Sequence, residues 1–567
     1  MEILSPNLAR NKILAHSKNL NFTQAKEIRI SVYRNHAFEP IESVIAPFLH
    51  YAGLKAKFAY SDYDESLNFN PDISTNSDLA IVFLDLARYK LHKNDFITFL
   101  RERLVSLQSE MKIPLLVMLL TKNISLDSNT ISFTLHSLID FQIYVFSCND
   151  LFKTYLALAN LDSTPNLLDE NKESITGTRL SNAATLIFAQ ILGLKLIPSI
   201  LLPNLKAIVL DLDNTLYHGI LGEDGIANLE LTTAHKDLQN KILEFKKQGY
   251  LLALASKNEE SDAKKLFETR NDFPMKWSDF DCVQVCWQDK DESLQKIAKA
   301  FNIGLDSILF IDDNIAEIES TKHTKAKQIH AINAQNTIFA LFLFPQLTKL
   351  RINKEDTLRA NDIAANVART NLDTLSDKDY FSNLNIELDF NIDSKSQAQR
   401  IYELMNKTNQ FIANYTRPTE MQVHEWLDST KHCVISIAMR DRLSDSGIIG
   451  IVIGEKQNEQ IHIIDLVVSC RALGRRLEAI MLLSAFNLIT ETLQTAQDGL
   501  FLHYQKGERN MPFLNTLALL QAKKNKNVLV SKNIETQQIL QDFTKSPIYI
   551  PLQYPTTDGL QITIIRS

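Results

Sequence analysis

The first 200 residues alternate between short apolar runs and amphipathic stretches. Four apolar runs of six to eight residues stand out: IRISVY (28–33), LAIVFLDL (79–86), PLLVMLL (114–120) and FQIYVF (141–146). Runs of this length and composition are typical of buried parallel strands. The stretch EPIESVIAPFLHYAGL lies between the first two runs and ends in Gly53, as a helix C-terminus does. The pattern predicts an open α/β sheet in residues 1–200.

Residues 204–345 repeat this alternation. The runs AIVLDLD (207–213), LLALAS (251–256) and SILFIDD (307–313) predict strands, and helix-like stretches between them end in Gly249 and Gly304. We therefore expect a second parallel sheet of Rossmann-like type.

Residues 380–567 have a different pattern. Three longer runs, HCVISIAMRD (432–441), GIIGIVIGEK (447–456) and QIHIIDLVVSC (460–470), are separated by polar clusters and predict antiparallel strands. The stretch EAIMLLSAFNLITETLQ (478–494) then predicts a helix, so this block is expected to be of α+β class. Residues 346–379 are charged and helix-prone, and predict a helical connector.

Length and composition set the broad class. A chain of 567 residues predicts two to four domains, and 45% hydrophobic with 22% charged residues is the composition of a soluble globular protein. The net charge of −7 gives no electrostatic argument for binding nucleic acid. Five cysteines do not make a disulfide framework, and the apolar stretch 186–202 contains Gln190, Lys195 and Pro198. We expect a cytoplasmic protein, and we expect this stretch to be too short and too interrupted to insert into a membrane.

Reactive side chains follow the predicted strands of the second block. Asp211 and Asp213 end the first strand, Ser256 ends the next, and Asp312 with Asp313 ends the last. Ligands of a parallel α/β sheet gather beyond the carboxyl ends of its strands, so these groups should converge. Together with lysines nearby, carboxylates and a hydroxyl suit Mg²⁺ binding and phosphoryl transfer, in which a carboxylate can itself attack phosphorus.

This set of residues resembles the haloacid dehalogenase (HAD) superfamily of aspartyl-nucleophile phosphatases, whose first motif has the form DxDxT. The resemblance implies that Asp211 is the nucleophile and Asp213 the general acid and base. It also implies that Ser256 matches the second motif and Lys290 the third, although Lys257 too lies close to a strand end.

The resemblance also implies a metal site. The acidic fourth motif matches Asp312 and Asp313, and the metal ligands would come from Asp211, Asp213 and this pair. Of the pair, Asp313 is favoured over Asp312, because the second acid commonly reaches the metal in such enzymes.

A narrower resemblance rests on VLDLDNTLYHGILGEDG (209–225), NKTNQF (406–411) and SCRALG (469–474). These stretches are similar to the FkbH-like family, also called HAD-IIIC phosphatases, which implies a HAD core with little or no cap. Members of that family dephosphorylate 1,3-bisphosphoglycerate and load its glyceryl group onto the thiol of an acyl carrier protein. A phosphorylated small-molecule substrate and a carrier-protein partner are therefore expected.

The third block resembles a GNAT-type acyltransferase. Its loop would present backbone N–H groups of Arg471 to Gly474 to the pyrophosphate of coenzyme A, but Arg476 stands where the motif has glycine or alanine. A carrier-bound phosphopantetheine arm fits this loop at least as well. Cys470 precedes the loop, and a helix N-terminus beside Arg471 would favour its thiolate as an acyl acceptor. The alternative is a small buried cysteine at a strand end.

The first block resembles the SGNH-hydrolase-like domain of the same family. The catalytic GDS serine is missing at the junction VYRNHAFEP (32–40), so a non-catalytic domain is expected. Three other functions stay open for the whole chain: a plain phosphatase for sugar or organic-acid phosphates, an acyltransferase of surface-glycan biosynthesis, and a scaffold with degenerate sites.

Overall fold

The fold is taken from a computed structural model of the 567-residue chain. It describes residues 3–566 apart from 7, 18–19, 21–22, 24, 90–92, 122–136, 162, 352–364, 366–368, 370–371, 373–374, 409, 416, 495–498, 508–509 and 523–545. Most of the predicted connector, and residue 409 of the NKTNQF motif, lie outside the described residues.

The first block contains a five-stranded sheet in which all neighbouring strands are parallel, in the order β2-β1-β3-β4-β5. Its strands are β1 (Lys26–Arg34), β2 (Leu54–Tyr60), β3 (Leu79–Asp85), β4 (Leu115–Leu120) and β5 (Ile143–Ser147). Its helices are α1 (Arg10–Ser17), α2 (Glu39–Tyr51), α3 (Pro71–Ser74), α4 (Lys93–Met111), α5 (Cys148–Ala159), α6 (Glu173–Thr176) and α7 (Asn182–Leu201). Buried side chains of α2, α5 and α7 pack on one face, and those of α4 pack on the other.

The second block is another five-stranded parallel sheet, in the order β10-β9-β6-β7-β8. The strands are β6 (Ala207–Leu210), β7 (Leu251–Ser256), β8 (Cys282–Val285), β9 (Ile308–Asp312) and β10 (Lys327–His330). The helices are α8 (Leu221–Asp224), α9 (Thr233–Lys247), α10 (Glu260–Thr269), α11 (Lys290–Phe301), α12 (Ile315–Thr321) and α13 (Ala334–Leu343). The two parallel α/β sheets predicted from the sequence are confirmed, and the DxDxT motif directly follows the central strand, β6.

The third block is a seven-stranded mixed sheet in the order β16-β15-β14-β13-β12-β11-β17. The strands are β11 (Glu387–Ile392), β12 (His432–Arg440), β13 (Asp445–Gln457), β14 (Gln460–Val468), β15 (Gly499–Leu502), β16 (Ile548–Pro551) and β17 (Gln561–Arg566). The helices are α14 (Asp377–Leu384), α15 (Ala398–Lys407), α16 (Glu420–Asp428), α17 (Glu478–Thr492) and α18 (Met511–Ala522). Strands β11 to β14 are antiparallel, as expected for this block, whereas β14 pairs with β15 in parallel.

The apolar helix α7 joins the first two blocks. It runs for 20 residues, with a π-helical turn at Ile191–Leu196. Length and composition alone would let it cross a bilayer, so the expectation that this stretch is too short was wrong. Of its most apolar 18 residues, 72% are buried inside the protein. There the helix packs beside Phe339 and Leu343 of α13. Among the described residues, α7 is the single helix that is both long enough and apolar enough to cross a bilayer.

Candidate active site

The carboxyl edge of the second sheet holds an open cavity of about 460 Å³. Its acidic lining comes from the loops after β6 and β9 and from α12: Asp211, Asp213, Asp312, Asp313 and Glu317. Ser256 and Lys257 line it from the end of β7, and Lys290 lines it from the first residue of α11. The structure therefore brings together all the site residues that the sequence predicted in the second block.

Lys290 lies at the centre of this cluster. Its buried ammonium donates to Oδ1 of Asp211 over 2.6 Å and to the Ala255 carbonyl over 2.5 Å. Its Nζ also lies 3.1 Å from Oδ2 of Asp312. Lys257, the alternative considered from sequence, pairs at 2.7 Å with Glu317. Lys290 is therefore the lysine that contacts the candidate nucleophile.

Three carboxylates form a cluster that could hold a divalent cation. One oxygen each from Asp211, Asp312 and Asp313 lies within 4.8 Å of the others. Oxygen donors at this spacing fit Mg²⁺, which prefers carboxylates and retains water in its other positions. Both acids of the fourth motif therefore belong to the cluster. The carboxylate of Asp213, also assigned to the metal from sequence, is not part of it.

The Asp213 carboxylate is held by three donors instead. The Tyr217 hydroxyl donates to Oδ1 over 2.6 Å, and the Leu221 backbone N–H donates to the same oxygen over 2.9 Å. Asn258 donates from Nδ2 to Oδ2 over 2.9 Å, and the same nitrogen lies 3.1 Å from the Ser256 hydroxyl oxygen. These contacts fix the orientation of Asp213 and link it to Ser256.

Tyr217 and Asn258 were missed from the sequence. Each lies within a few residues of a recognised motif, Tyr217 in the stretch after DxDxT and Asn258 directly after Ser256 and Lys257. The position of Asn258, two residues beyond the end of β7, could have indicated a site residue, because the ends of parallel strands share one edge of the sheet.

Burial raises the pKa of several groups in the cluster. It raises the pKa of Asp211 to about 6, although the Lys290 ammonium acts in the opposite direction. Burial also raises the pKa of Asp312, and burial with the nearby Asp211 charge raises that of Asp313. Burial alone would lower the pKa of Lys290, but the charges of Asp211 and Asp312 outweigh it and the pKa is raised. Perturbed titrations of this kind are typical of catalytic sites.

Cys470 lies away from this cavity. Its Sγ is 4.0 Å from Nζ of Lys206, and its carbonyl accepts a hydrogen bond from Asn302 over 2.5 Å. Lys206 precedes β6, whereas Asp211 follows it, so the two lie at opposite ends of that strand. At 3.3 Å per residue their backbones are about 16 Å apart. The structure does not bring Cys470 and Asp211 into one site.

The loop after Cys470 does not fit a pyrophosphate group in this arrangement. The Gly474 N–H donates to a carboxylate oxygen of Glu478 over 2.6 Å, so an anion of the chain itself takes this donor. Arg476 has a positive φ of 62°, and its side chain reaches Asp377 and the Leu375 carbonyl at 2.9 Å. Arg471 is buried. Coenzyme A and phosphopantetheine therefore have no part in the reaction proposed below.

The described part of the NKTNQF motif has a structural role. Asn406 donates to the carbonyls of Tyr402 and Pro418, both over 3.0 Å, and so closes the turn after α15. The following segment pairs with β14 on the side of β15: the Val468 N–H donates to Phe411, and the Ala413 N–H donates to Leu466.

The carboxyl edge of the first sheet is closed by internal contacts. Arg179 donates to both oxygens of Asp85 over 2.8 and 2.6 Å, and both side chains are buried. His36 is fully buried, bonds to Thr178 over 2.9 Å, and burial lowers its pKa to about 3. A neutral histidine and an internal ion pair agree with the expected non-catalytic role, which stays a prediction.

No protein-family model and no curated protein sequence matches this chain. Several solved structures are similar to it, and two of them are described here. One is the N-terminal part of BF1531 from Bacteroides fragilis, which contains a phosphatase domain complexed with Mg: the identity is 18% over 60% of this chain and 100% of that one, with a TM-score of 0.47. The other is the HAD-family enzyme bt-2542 from Bacteroides thetaiotaomicron, in complex with magnesium and inorganic phosphate. The match covers 22% of this chain and 93% of that one, with 14% identity and a TM-score of 0.19. Both TM-scores are below 0.5, so the function of this chain is inferred from its own residues.

Proposed function

We propose that this chain is a Mg²⁺-dependent phosphatase of the HAD type that hydrolyses phosphate monoesters through a phosphoaspartate at Asp211. The observation that carries the proposal is the Asp211 carboxylate at the carboxyl edge of the second sheet. It is buried, bonded to Lys290, and clustered with Asp312 and Asp313 around a space suited to a divalent cation.

The first step is attack on phosphorus by the Asp211 oxygen that does not bond to Lys290. The bond from phosphorus to the ester oxygen breaks, and Asp213 donates its proton to that oxygen as the alcohol leaves. Lys290 and Ser256 stabilise the charge on the phosphoryl oxygens. Asp211, Asp312 and Asp313 would hold Mg²⁺, which when bound neutralises phosphate charge and orients the phosphoryl group.

The second step regenerates the enzyme. Asp213, now a carboxylate held by Tyr217, Leu221 and Asn258, takes a proton from water, and the water oxygen attacks phosphorus. The bond between phosphorus and Asp211 breaks and inorganic phosphate leaves. The hydrogen bonds to Asp213 keep its carboxyl group in one orientation through both steps.

The acyl transfer that the FkbH-like resemblance implies stays a prediction. The separation of Cys470 from Asp211, and the internal contacts of the loop around Gly474, favour the plain phosphatase among the alternatives. The scaffold alternative is disfavoured by the assembled cluster around Lys290.

The test compares the wild type with Asp211→Asn in Mg²⁺ and in EDTA, measuring phosphate release from a panel of monoesters. Asp237→Asn, on the exposed face of α9, is the matched control. We expect Asp211→Asn to lose turnover while the control retains it. Acid-quenched wild-type protein should gain the mass of one phosphoryl group, located by peptide mapping at Asp211. Turnover retained in Asp211→Asn would refute the assignment.

A further inference from the structure

The end of β10 holds the backbone of the acidic pair that follows β9. In the parallel pairing of these two strands, His330 lies level with Asp312. The Ala331 backbone N–H donates to the Asp312 carbonyl over 2.8 Å and extends this pairing by one residue. The His330 side chain reaches the next carbonyl, that of Asp313, from Nε2 over 2.8 Å. The neighbouring strand therefore fixes two successive carbonyls of the acidic pair.

The direction of the hydrogen bond from His330 is determined by its acceptor. A backbone carbonyl oxygen can only accept, so Nε2 of His330 carries the hydrogen. Both the neutral Nε2–H tautomer and the protonated imidazole can donate in this way. The bond therefore does not depend on the charge of the ring.

The carboxylate of Asp313 is held from the opposite side of β9. Strand β6 is the neighbour on that side, and Asn214 lies in the loop that follows it. Burial raises the pKa of Asp313, and a hydrogen bond from the Asn214 side chain opposes this rise. The Gly219 N–H donates to Oδ1 of Asn214 over 3.1 Å, which turns the amide nitrogen of Asn214 to other acceptors. Asp313 is thus fixed at its backbone by His330 and at its carboxylate by Asn214.

A divalent cation at this cluster depends on the orientation of Asp313. Mg²⁺ demands near-ideal octahedral geometry, so a carboxylate that changes its orientation is a poorer ligand. Asp313 lies between the last residue of β9 and Asn314, the residue that caps α12. Its peptide group can rotate more freely there than inside a strand or a helix. Partners that orient metal ligands typically contribute about tenfold or more to metal affinity.

From these contacts we infer that His330 is a positioning residue of the cation site, which raises the affinity for a divalent cation by fixing Asp313. The inference rests on the proposed phosphatase function and adds a residue that lies outside the four HAD-like motifs. His330 acts through Asp313 and takes no part in the transfer of the phosphoryl group.

Mn²⁺ binding to the full chain tests the inference without relying on turnover. Mn²⁺ takes the same kinds of oxygen ligands as Mg²⁺, and the paramagnetic resonance signal of the free ion gives its dissociation constant. We expect His330→Ala to raise this constant about tenfold. His330→Gln should restore most of the affinity, because its amide can donate to the same carbonyl. The Mg²⁺ concentration for half-maximal phosphate release should rise by a similar factor in His330→Ala.

His323→Ala is the matched control. His323 also bonds to a backbone carbonyl, that of Ser320 over 2.8 Å, but its side chain is 65% exposed and lies outside the acidic pair. This variant should bind Mn²⁺ as the wild type does. Thermal unfolding of each variant in EDTA checks that the fold is retained.

The outcomes distinguish this inference from the proposed function. An unchanged Mn²⁺ dissociation constant in His330→Ala, or equal weakening in His330→Ala and His330→Gln, would overturn the role of His330 and leave the phosphatase proposal standing. Mn²⁺ binding that is absent in the wild type, or that is unaffected by Asp313→Asn, would overturn both.

Discussion

Replacing Lys290 by methionine removes the charge at the centre of the cluster while keeping the length of the side chain. The ammonium lies 2.6 Å from an oxygen of Asp211 and 3.1 Å from one of Asp312. In the variant these buried carboxylates, together with Asp313, lose this counter-charge. The folded protein should be destabilised when divalent cations are absent.

The magnitude follows from these distances. With an effective dielectric constant of 20, the two attractions are each about 5–6 kcal/mol before the opposing cost of desolvation. Removing one partner of a buried pair typically costs about 3–5 kcal/mol, because the other charge stays buried. Lys257→Met is the matched control: Lys257 is 36% exposed and pairs with Glu317, so we expect a loss below about 1 kcal/mol.

Urea unfolding followed by tryptophan fluorescence measures this loss. Trp277 and Trp287 lie in the second block and Trp426 in the third, so a Trp426→Phe background makes the emission specific to the second block. We expect Lys290→Met to unfold at lower urea in EDTA. Mg²⁺ should stabilise Lys290→Met more than the parent protein, because it replaces the missing positive charge.

Two results would refute this reasoning. One is an equal loss of stability in Lys290→Met and Lys257→Met. The other is a Mg²⁺ stabilisation that is no larger in Lys290→Met than in the parent. That result would mean that the cation does not bind beside Asp211 and Asp312, the carboxylates that Lys290 contacts.

Three further predictions concern other parts of the chain. Asn258→Ala should lower kcat about tenfold or more with little change in KM, because Asp213 loses a donor that orients it; an unchanged kcat would contradict this. Burial lowers the pKa of Lys195 from 10.5 to about 7, so the folded protein binds fewer protons than the unfolded chain between these values. Stability should therefore rise with pH across that window, by ~1.4 kcal/mol per pH unit, and the rise should be absent in Lys195→Met in parallel urea titrations. Cys470→Ala should release phosphate at the wild-type rate, and a loss of turnover would show that the thiol acts in this reaction.

The convergence of the acidic residues could be predicted from sequence because one topological rule is sufficient. Asp211 directly follows β6, whereas Ser256 and Asp312 end β7 and β9, and strands of a parallel sheet end at a common edge. The rule predicts that these residues lie together whatever their distance apart along the chain.

Contacts between distant loops could not be predicted in this way. The donation from Asn258 to Asp213 depends on side-chain orientations 45 residues apart. The position of Cys470 beside Lys206 depends on how the third block packs against the second. Neither contact has a periodic signal in the sequence.

The length of α7 was misjudged for a different reason. Lys195 and Pro198 indicated an interruption, but Nζ of Lys195 bonds to the Phe342 carbonyl and to Thr348, and the helix continues through a π turn. Because Lys195 finds hydrogen-bond partners elsewhere in the chain, α7 continues through a position where composition predicted a break.

The most direct measurement is an anomalous difference map from crystals grown with Mn²⁺, which takes the same kinds of oxygen ligands as Mg²⁺. We predict one strong peak in the second block, in contact with the carboxylates of Asp211 and Asp313, and its loss in Asp313→Asn. A map with no peak at these carboxylates, or with the principal peak elsewhere, would contradict the proposed metal-dependent site.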